Sequence, residues 1–237
     1  HLRQRDRRRH PVICGLDGWK GQWVCLKEAG PFLSAEVIPL DLSARLDQAE
    51  VICIDTPIGL PAAGPRAADL LAREFIRPRG SSVFPAPIRD VLGCSDYREA
   101  CAISQAKQGK KLSKQAFQIL PVIQAVDTIV RSRADFASRI REVHPEVSFR
   151  AMADRPLASK HTDTGERQRL DATAKAFGPW AFPKAWNELG ERRGLKKDLI
   201  DAFACLWTAR RVQQGIAISL PAEPEKDSVG LPMAIWY

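Results

Sequence analysis

Two runs of consecutive apolar residues, each closed by an aspartate, organise the first quarter of the chain: Val12-Ile13-Cys14-Gly15-Leu16-Asp17 and Val51-Ile52-Cys53-Ile54-Asp55. Unbroken apolar runs of this length predict short buried strands. Gly18 is expected to turn the first, and Pro57 with Gly59 to close the second. Residues 21–27 follow a glycine-containing turn, as a hairpin partner would, and residues 35–39 supply a third strand. Residues 42–49 have helical spacing and lead into the strand that ends at Asp55. A three-stranded meander, a helix and a fourth strand open a mixed α/β sheet, which does not suit an all-helical or sandwich fold. The strands ending at Asp17 and Asp55 are expected to be neighbours, because only adjacency lets two short side chains share an ion.

The middle of the chain reads as an elaboration of that sheet. Pro65 can start a helix reaching about Ile76, since proline at the first helical position loses no hydrogen bond. Residues 77–87 hold prolines and a glycine that predict a loop. Asp96 and Glu99 have capping-box spacing for a helix ending near Gln108, and residues 113–133 predict another, bent at Pro121. Residues 141–149 predict the fifth strand and its exit, with Glu142, His144 and Glu146 on one side and Pro145 limiting pairing beyond His144. The polar stretch 158–167 has too few apolar residues for core and either lines a site or connects elements. A helix from Asp198 to about Gln214 carries Asp198, Asp201, Cys205, Thr208 and Val212 as a stripe small enough to lie close to a sheet. The expected architecture is a mixed, roughly five-stranded sheet flanked by helices. It forms one domain over residues 12–237, with a helical and loop insertion at about 60–139, preceded by a flexible basic tail at 1–11.

Composition narrows the partners. The 237 residues are 45% hydrophobic, enough for one sizeable core and too apolar for disorder. The formal charge is +8, but the first ten residues contribute +4 of it through five arginines against one aspartate, leaving +4 on the remainder. A moderately basic body favours anionic partners such as nucleic acid and equally serves solubility. The six cysteines show no close pair and no zinc-ligand spacing, so free thiols in a reducing, cytoplasmic compartment are expected. No apolar run approaches the roughly 18 residues that would span a bilayer.

The wording of several segments resembles domain-of-unknown-function family 429, a family described as predicted ribonuclease H-like nucleases. The segments are Gly15-Leu16-Asp17-Gly18-Trp19, Ile54-Asp55-Thr56-Pro57-Ile58-Gly59-Leu60-Pro61, Gly80-Ser81-Ser82-Val83-Phe84-Pro85, Glu142-Val143-His144-Pro145-Glu146-Val147-Ser148-Phe149, Ser159-Lys160, Asp198-Leu199-Ile200-Asp201-Ala202 and the closing Gly230-Leu231-Pro232-Met233-Ala234-Ile235-Trp236. The resemblance implies a ribonuclease H-like fold and a metal-dependent nuclease or resolvase-like phosphodiesterase acting on nucleic acid. It implies Mg2+ or Mn2+ as cofactor, with Asp17 bridging two ions, Asp55 holding one, and Asp198 or Asp201 the other. The helix pair Asp198 and Asp201 is similar to that of resolvases of the superfamily. The additional glutamate that cellular ribonucleases H carry on their first helix is missing, for residues 42–49 offer only Asp47. Cleavage of an RNA–DNA hybrid is therefore not the favoured activity.

Each candidate has a plainer role beside the chemical one. Carboxylates are the donors that magnesium and manganese prefer, yet an aspartate before glycine is often a turn residue bonding its own backbone. Asp198 and Asp201 also suit the positive end of a helix without any metal; Asp201 is preferred as the ligand. His144 is a candidate general base or a hydrogen-bonded structural residue. Glu142 and Glu146 are candidates for the metal shell or for pairing with arginine. Arg77, Arg79, Ser81 and Ser82, flanked by Arg66 and Arg73, are candidates to grip a phosphate backbone, and Lys160 to neutralise a phosphate. A small-substrate phosphotransferase of the same superfold is a second class, disfavoured by the absence of a Walker motif and by Trp19-Lys20 where a kinase-like phosphate hairpin needs small hydroxyl residues. A nucleic-acid-binding protein that has lost catalysis is a third, and the insertion is also a candidate homodimer face.

Overall fold

The computed structural model describes residues 10–237. Most of the basic tail expected to be flexible therefore lies outside the described residues. Strands β1 (Val12–Trp19), β2 (Gln22–Ala29) and β3 (Phe32–Pro39) form the meander, and helix α1 (Ser43–Leu46) leads into β4 (Ala49–Ile54). Helices α2 (Ala67–Phe75), α3 (Tyr97–Gln108), α4 (Lys114–Gln118), α5 (Leu120–Ser132) and α6 (Ala134–Arg139) follow, and then β5 (Ile140–Glu142). After β5 come α7 (Pro145–Ala153), α8 (Asp163–Phe177), α9 (Ala181–Glu188) and α10 (Lys196–Gln213), with the short pair β6 (Ser219–Leu220) and β7 (Ile235–Trp236) at the end. The main sheet has five strands in the order β3-β2-β1-β4-β5. Its β1–β2 and β2–β3 pairs are antiparallel, and its β1–β4 and β4–β5 pairs are parallel. The mixed five-stranded sheet and the adjacency of β1 and β4 are as expected.

Several elements depart from the pattern-based reading. β1 continues past Asp17 to Trp19, and the hairpin turns at Lys20 and Gly21, which both take positive φ (47° and 72°). Two such residues match the twist of the flanking strands better than a turn at Gly18 would. The helix expected at 42–49 shortens to Ser43–Leu46. The helix expected at 113–133 is two, because Pro121 lies in the first turn of α5, where its missing N–H costs nothing. β5 ends at Glu142, and Pro145 starts α7, so Glu142, His144 and Glu146 do not share a strand face. Half of the stretch expected to be non-regular, and all of 181–188, is helical as α8 and α9.

The sheet is covered on both faces, which is why β1 and β4 carry apolar runs instead of alternation. On one face, Ile13, Val24 and Leu26 pack with Phe203 and Leu206 of α10 and Phe177 of α8. On the other, Cys14, Leu16, Trp23, Ile52 and Ile54 pack with Val126 and Val130 of α5 and Phe136 of α6. The stretch before α5 has a small core of its own, built from Ile88, Val91, Ala100, Leu112 and Leu120. One glycine sets how closely α10 approaches. A Cβ added at Gly15 would lie 2.2 Å from the Leu206 nitrogen and 2.5 Å from the Ala202 oxygen. The helix backbone rests directly on β1, and this brings the next residues toward the strand's end within reach of the helix acids.

Candidate active site

The parallel pairing of β1 and β4 ends at Leu16 and Ile54, and the Asp55 N–H donates to the Leu16 carbonyl at 3.0 Å. Asp17 and Asp55 therefore lie side by side just past the end of the parallel pairing, Asp17 still within β1 and Asp55 just beyond β4. Asp17 is buried, and its Oδ1 accepts from the Gly18 N–H at 2.8 Å. The contact is to the neighbouring backbone, but Asp17 lies inside β1, paired with Val24, so the turn-residue role weighed against a ligand role is not the observed one. From α10, Asp201 is buried and Asp198, one turn earlier, is partly exposed. Ser148 of α7 and Thr208 of α10 share a buried hydrogen bond of 2.8 Å that holds the helix to its other neighbour.

The electrostatics are those of like charges confined together. Burial pushes the Asp17 carboxyl well above the usual range, and the charges of Asp55, Asp201 and Asp198 push it further. Asp55 is raised to about 7 by burial and then by Asp201, against the lowering effects of Lys160 and of a hydrogen bond with Asp17. Asp198 is raised to about 6 by burial and by Asp201. Burial also holds the nearby Cys205 thiol protonated, with Asp55 and Asp17 adding to the effect.

The Lys160 ammonium enters this cluster. Lys160 Nζ donates to Asp201 Oδ2 at 2.7 Å. Burial works against its charge, but Asp201, Asp55 and Asp17 outweigh that and raise its pKa. The backbone that presents Lys160 is tied down on both sides. Gln168 Oε1 accepts from the Ala158 N–H, and Arg169 donates to the Ala158 carbonyl. Thr162 caps α8 by accepting from the Gly165 N–H while its hydroxyl donates to the Ser159 carbonyl. Gly165 permits the contact, since a Cβ there would lie 1.9 Å from the Ser159 oxygen.

The remaining candidates divide into structural and accessible groups. Both Glu142 oxygens are engaged by Arg66, at 2.6 and 2.7 Å, and one also accepts from the Ile58 N–H. Arg66 further pairs with Asp69 at 2.7 Å and is almost fully buried, so it is not available to a phosphate. Burial holds Glu142 above the usual carboxylate range despite Arg66. Glu146 pairs with buried Arg169 at 2.5 Å. For both glutamates the arginine-pairing alternative is the observed arrangement. Burial lowers the proton affinity of His144, and Lys160 acts in the same direction, against Glu146 and Asp201. Its Nδ1 is buried without a partner. Arg73 Nε donates to the Gly80 carbonyl, fixing the loop. Arg77 is exposed and pairs with exposed Glu74, Ser81 is exposed, and Arg79 and Ser82 are partly exposed.

The donor chemistry of Asp17, Asp55, Asp198 and Asp201 suits a hard divalent cation, being oxygen throughout. At their present side-chain positions, no three Asp, Glu, His or Cys among the described residues form a ready ligand set. The cation beside Asp201 is the Lys160 ammonium. Arg169 escaped the sequence reading as a site residue, because its partner Glu146 is 23 residues away and no local spacing announces the pair. Among the described residues no helix is long and apolar enough to cross a membrane. The family model described as "Protein of unknown function (DUF429)" matches residues 15–226, and the chain belongs to that family. No curated protein and no solved structure gives a match.

Proposed function

We propose that the chain is a divalent-metal-dependent phosphodiesterase acting on nucleic acid, built on a ribonuclease H-like fold. The observation that carries the reading is the convergence of Asp17, Asp55, Asp198 and Asp201 from β1, β4 and α10, close enough that the Asp201 charge adds to burial in raising the proton affinity of the other three. Desolvated acids that repel one another are costly to keep, and perturbed groups of this kind concentrate where chemistry is done. The strand order and the late helix on the first strand support the finer fold reading.

Asp17 and Asp55, with Asp198 or Asp201, would hold Mg2+ or Mn2+. Such an ion supplies activation of water and charge neutralisation at the leaving oxygen of a phosphodiester. The chain's own residues do the rest. Lys160 offsets carboxylate charge where a phosphate must approach, and Arg77 and Arg79 offer guanidinium groups on the loop that Arg73 holds through the Gly80 carbonyl. The buried His144 Nδ1 has no partner.

Cleavage of labelled single-stranded, duplex and junction DNA and RNA, with Mg2+ and with Mn2+, tests the reading. The wild-type protein should cleave at least one of them, and Asp17→Asn should cleave none while remaining folded. A nuclease-free wild-type preparation that cleaves nothing with either ion, or an Asp17→Asn protein with full activity, overturns it.

A further inference from the structure

Lys160 bears on how many ions the carboxylates take. Its ammonium lies 2.7 Å from the buried Asp201 carboxylate. A divalent ion on the same Asp201 oxygen would face a positive charge at contact distance in a region where burial weakens screening. The Lys160 side chain is 37% exposed, and the turn that presents it is held through the Ala158 and Ser159 backbone by Gln168, Arg169 and Thr162, with Arg169 anchored in turn by buried Glu146. In the substrate-free protein, one ammonium and one divalent ion leave a single uncompensated carboxylate among Asp17, Asp55, Asp198 and Asp201. Two divalent ions beside the ammonium would overshoot.

We infer that the Lys160 ammonium is a built-in cation standing in place of one metal ion, so that the site takes one Mg2+ or Mn2+ on the Asp17 and Asp55 side while Asp201 stays committed to Lys160. The inference rests on the metal-dependent reading given above and changes its stoichiometry. Asp201, the helix acid preferred from the sequence as a ligand, becomes the lysine's partner, and partly exposed Asp198 is the helix acid left free for the ion.

Titration of the full chain with Mn2+, by calorimetry and by electron paramagnetic resonance of the unbound ion, counts the sites without relying on activity. Wild-type protein should bind one ion. Lys160→Met should bind two, or bind the first at least about tenfold more tightly, because a repelling charge has gone. Lys160→Arg, which keeps the charge, should stay at one, and thermal unfolding of each variant in Mn2+ checks that it folds. Two ions on the wild-type protein overturn the inference and leave the metal reading standing, whether or not Lys160→Met folds. Equal stoichiometry and equal affinity for wild type and folded Lys160→Met do the same. No binding to the wild-type protein at millimolar Mn2+ overturns the metal reading and this inference with it.

Discussion

Replacing Asp55 by asparagine in the metal-free protein should raise its stability at neutral pH and change it little near pH 4. The Asp55 carboxyl titrates at about 7 in the folded state, against an ordinary value of 3.8, through burial first and the Asp201 charge second. A raised folded pKa means that the native state holds its proton where the unfolded state has lost it. Stability therefore falls as pH rises from about 4 to about 7, and the loss is complete above that window. At about 1.4 kcal/mol per pKa unit the shift corresponds to on the order of 4 kcal/mol, reduced to about 2–3 kcal/mol by solvent reaching the partly exposed side chain. For a domain of this size each kcal/mol moves the midpoint by about 2–4 °C, so Asp55→Asn should melt roughly 5–10 °C higher at pH 7.5 in chelator. His144, whose pKa is lowered by burial, acts in the opposite direction as pH falls below its ordinary 6.5, but it is common to both proteins and cancels in their difference. The assay is thermal and urea unfolding of wild type and variant between pH 4 and 8. Parallel curves, with no gap opening between pH 4 and 7, would refute the claim that this carboxyl is desolvated and repelled.

Gly15→Ala should destabilise the protein by about 3 kcal/mol or more in urea unfolding, because its methyl group would meet the α10 backbone at 2.2 Å and the helix cannot yield without opening the core. Arg66→Met should cost about 3–5 kcal/mol or prevent folding, since it leaves Glu142 and Asp69 as unpaired buried charges; expression and thermal unfolding check this. Replacing Arg77 and Arg79 together by alanine should weaken nucleic-acid binding and reduce the slope of log K against log salt by about 1.5, as two fewer phosphates are met. Its unfolding midpoint should move little, because the Arg77 pair with Glu74 is exposed.

What could be read from the sequence was what hydrophobic pattern encodes. β1 and β4 stand out because strands buried on both faces must be apolar throughout, and the convergence of Asp17 with Asp55 follows from their pairing alone. α10 was legible as a helix, but it is buried on nearly all sides from Leu199 to Leu206, and it rests on Gly15 through Ala202 and Leu206, not through the expected stripe of Asp198, Asp201, Cys205, Thr208 and Val212. α8 was not, for its buried positions Gly165, Arg169, Thr173 and Phe177 hold one strongly apolar side chain, so the helical period carries almost no hydrophobic signal. The Thr162 cap and the first-turn acids Asp163 and Glu166 were the available cue. Pro145 was read as the end of a strand although proline serves equally as the first residue of a helix, which is its place in α7. The partner of Lys160 lies 41 residues away on α10, and the partner of Arg66 lies 76 away on β5. Pairings at such separation depend on tertiary packing and leave no local trace.

The carboxylates have few ways to relax. Asp17 and Asp55 are fixed by the parallel ladder beneath them, through the Asp55 N–H bond to Leu16. Asp201 cannot withdraw, because the α10 backbone is seated on Gly15 with no side chain between and Phe203 and Leu206 are locked in the core behind it. Repulsion among them can therefore be relieved only by a proton, by the Lys160 ammonium or by a bound cation. Burial first and this repulsion second raise the proton affinity of Asp17, Asp55 and Asp198, and the Lys160 ammonium pairs with Asp201 at 2.7 Å. Under the metal-dependent reading proposed above, a divalent ion would displace the protons that now neutralise these acids, and side chains, not the backbone, would move to complete its ligand set.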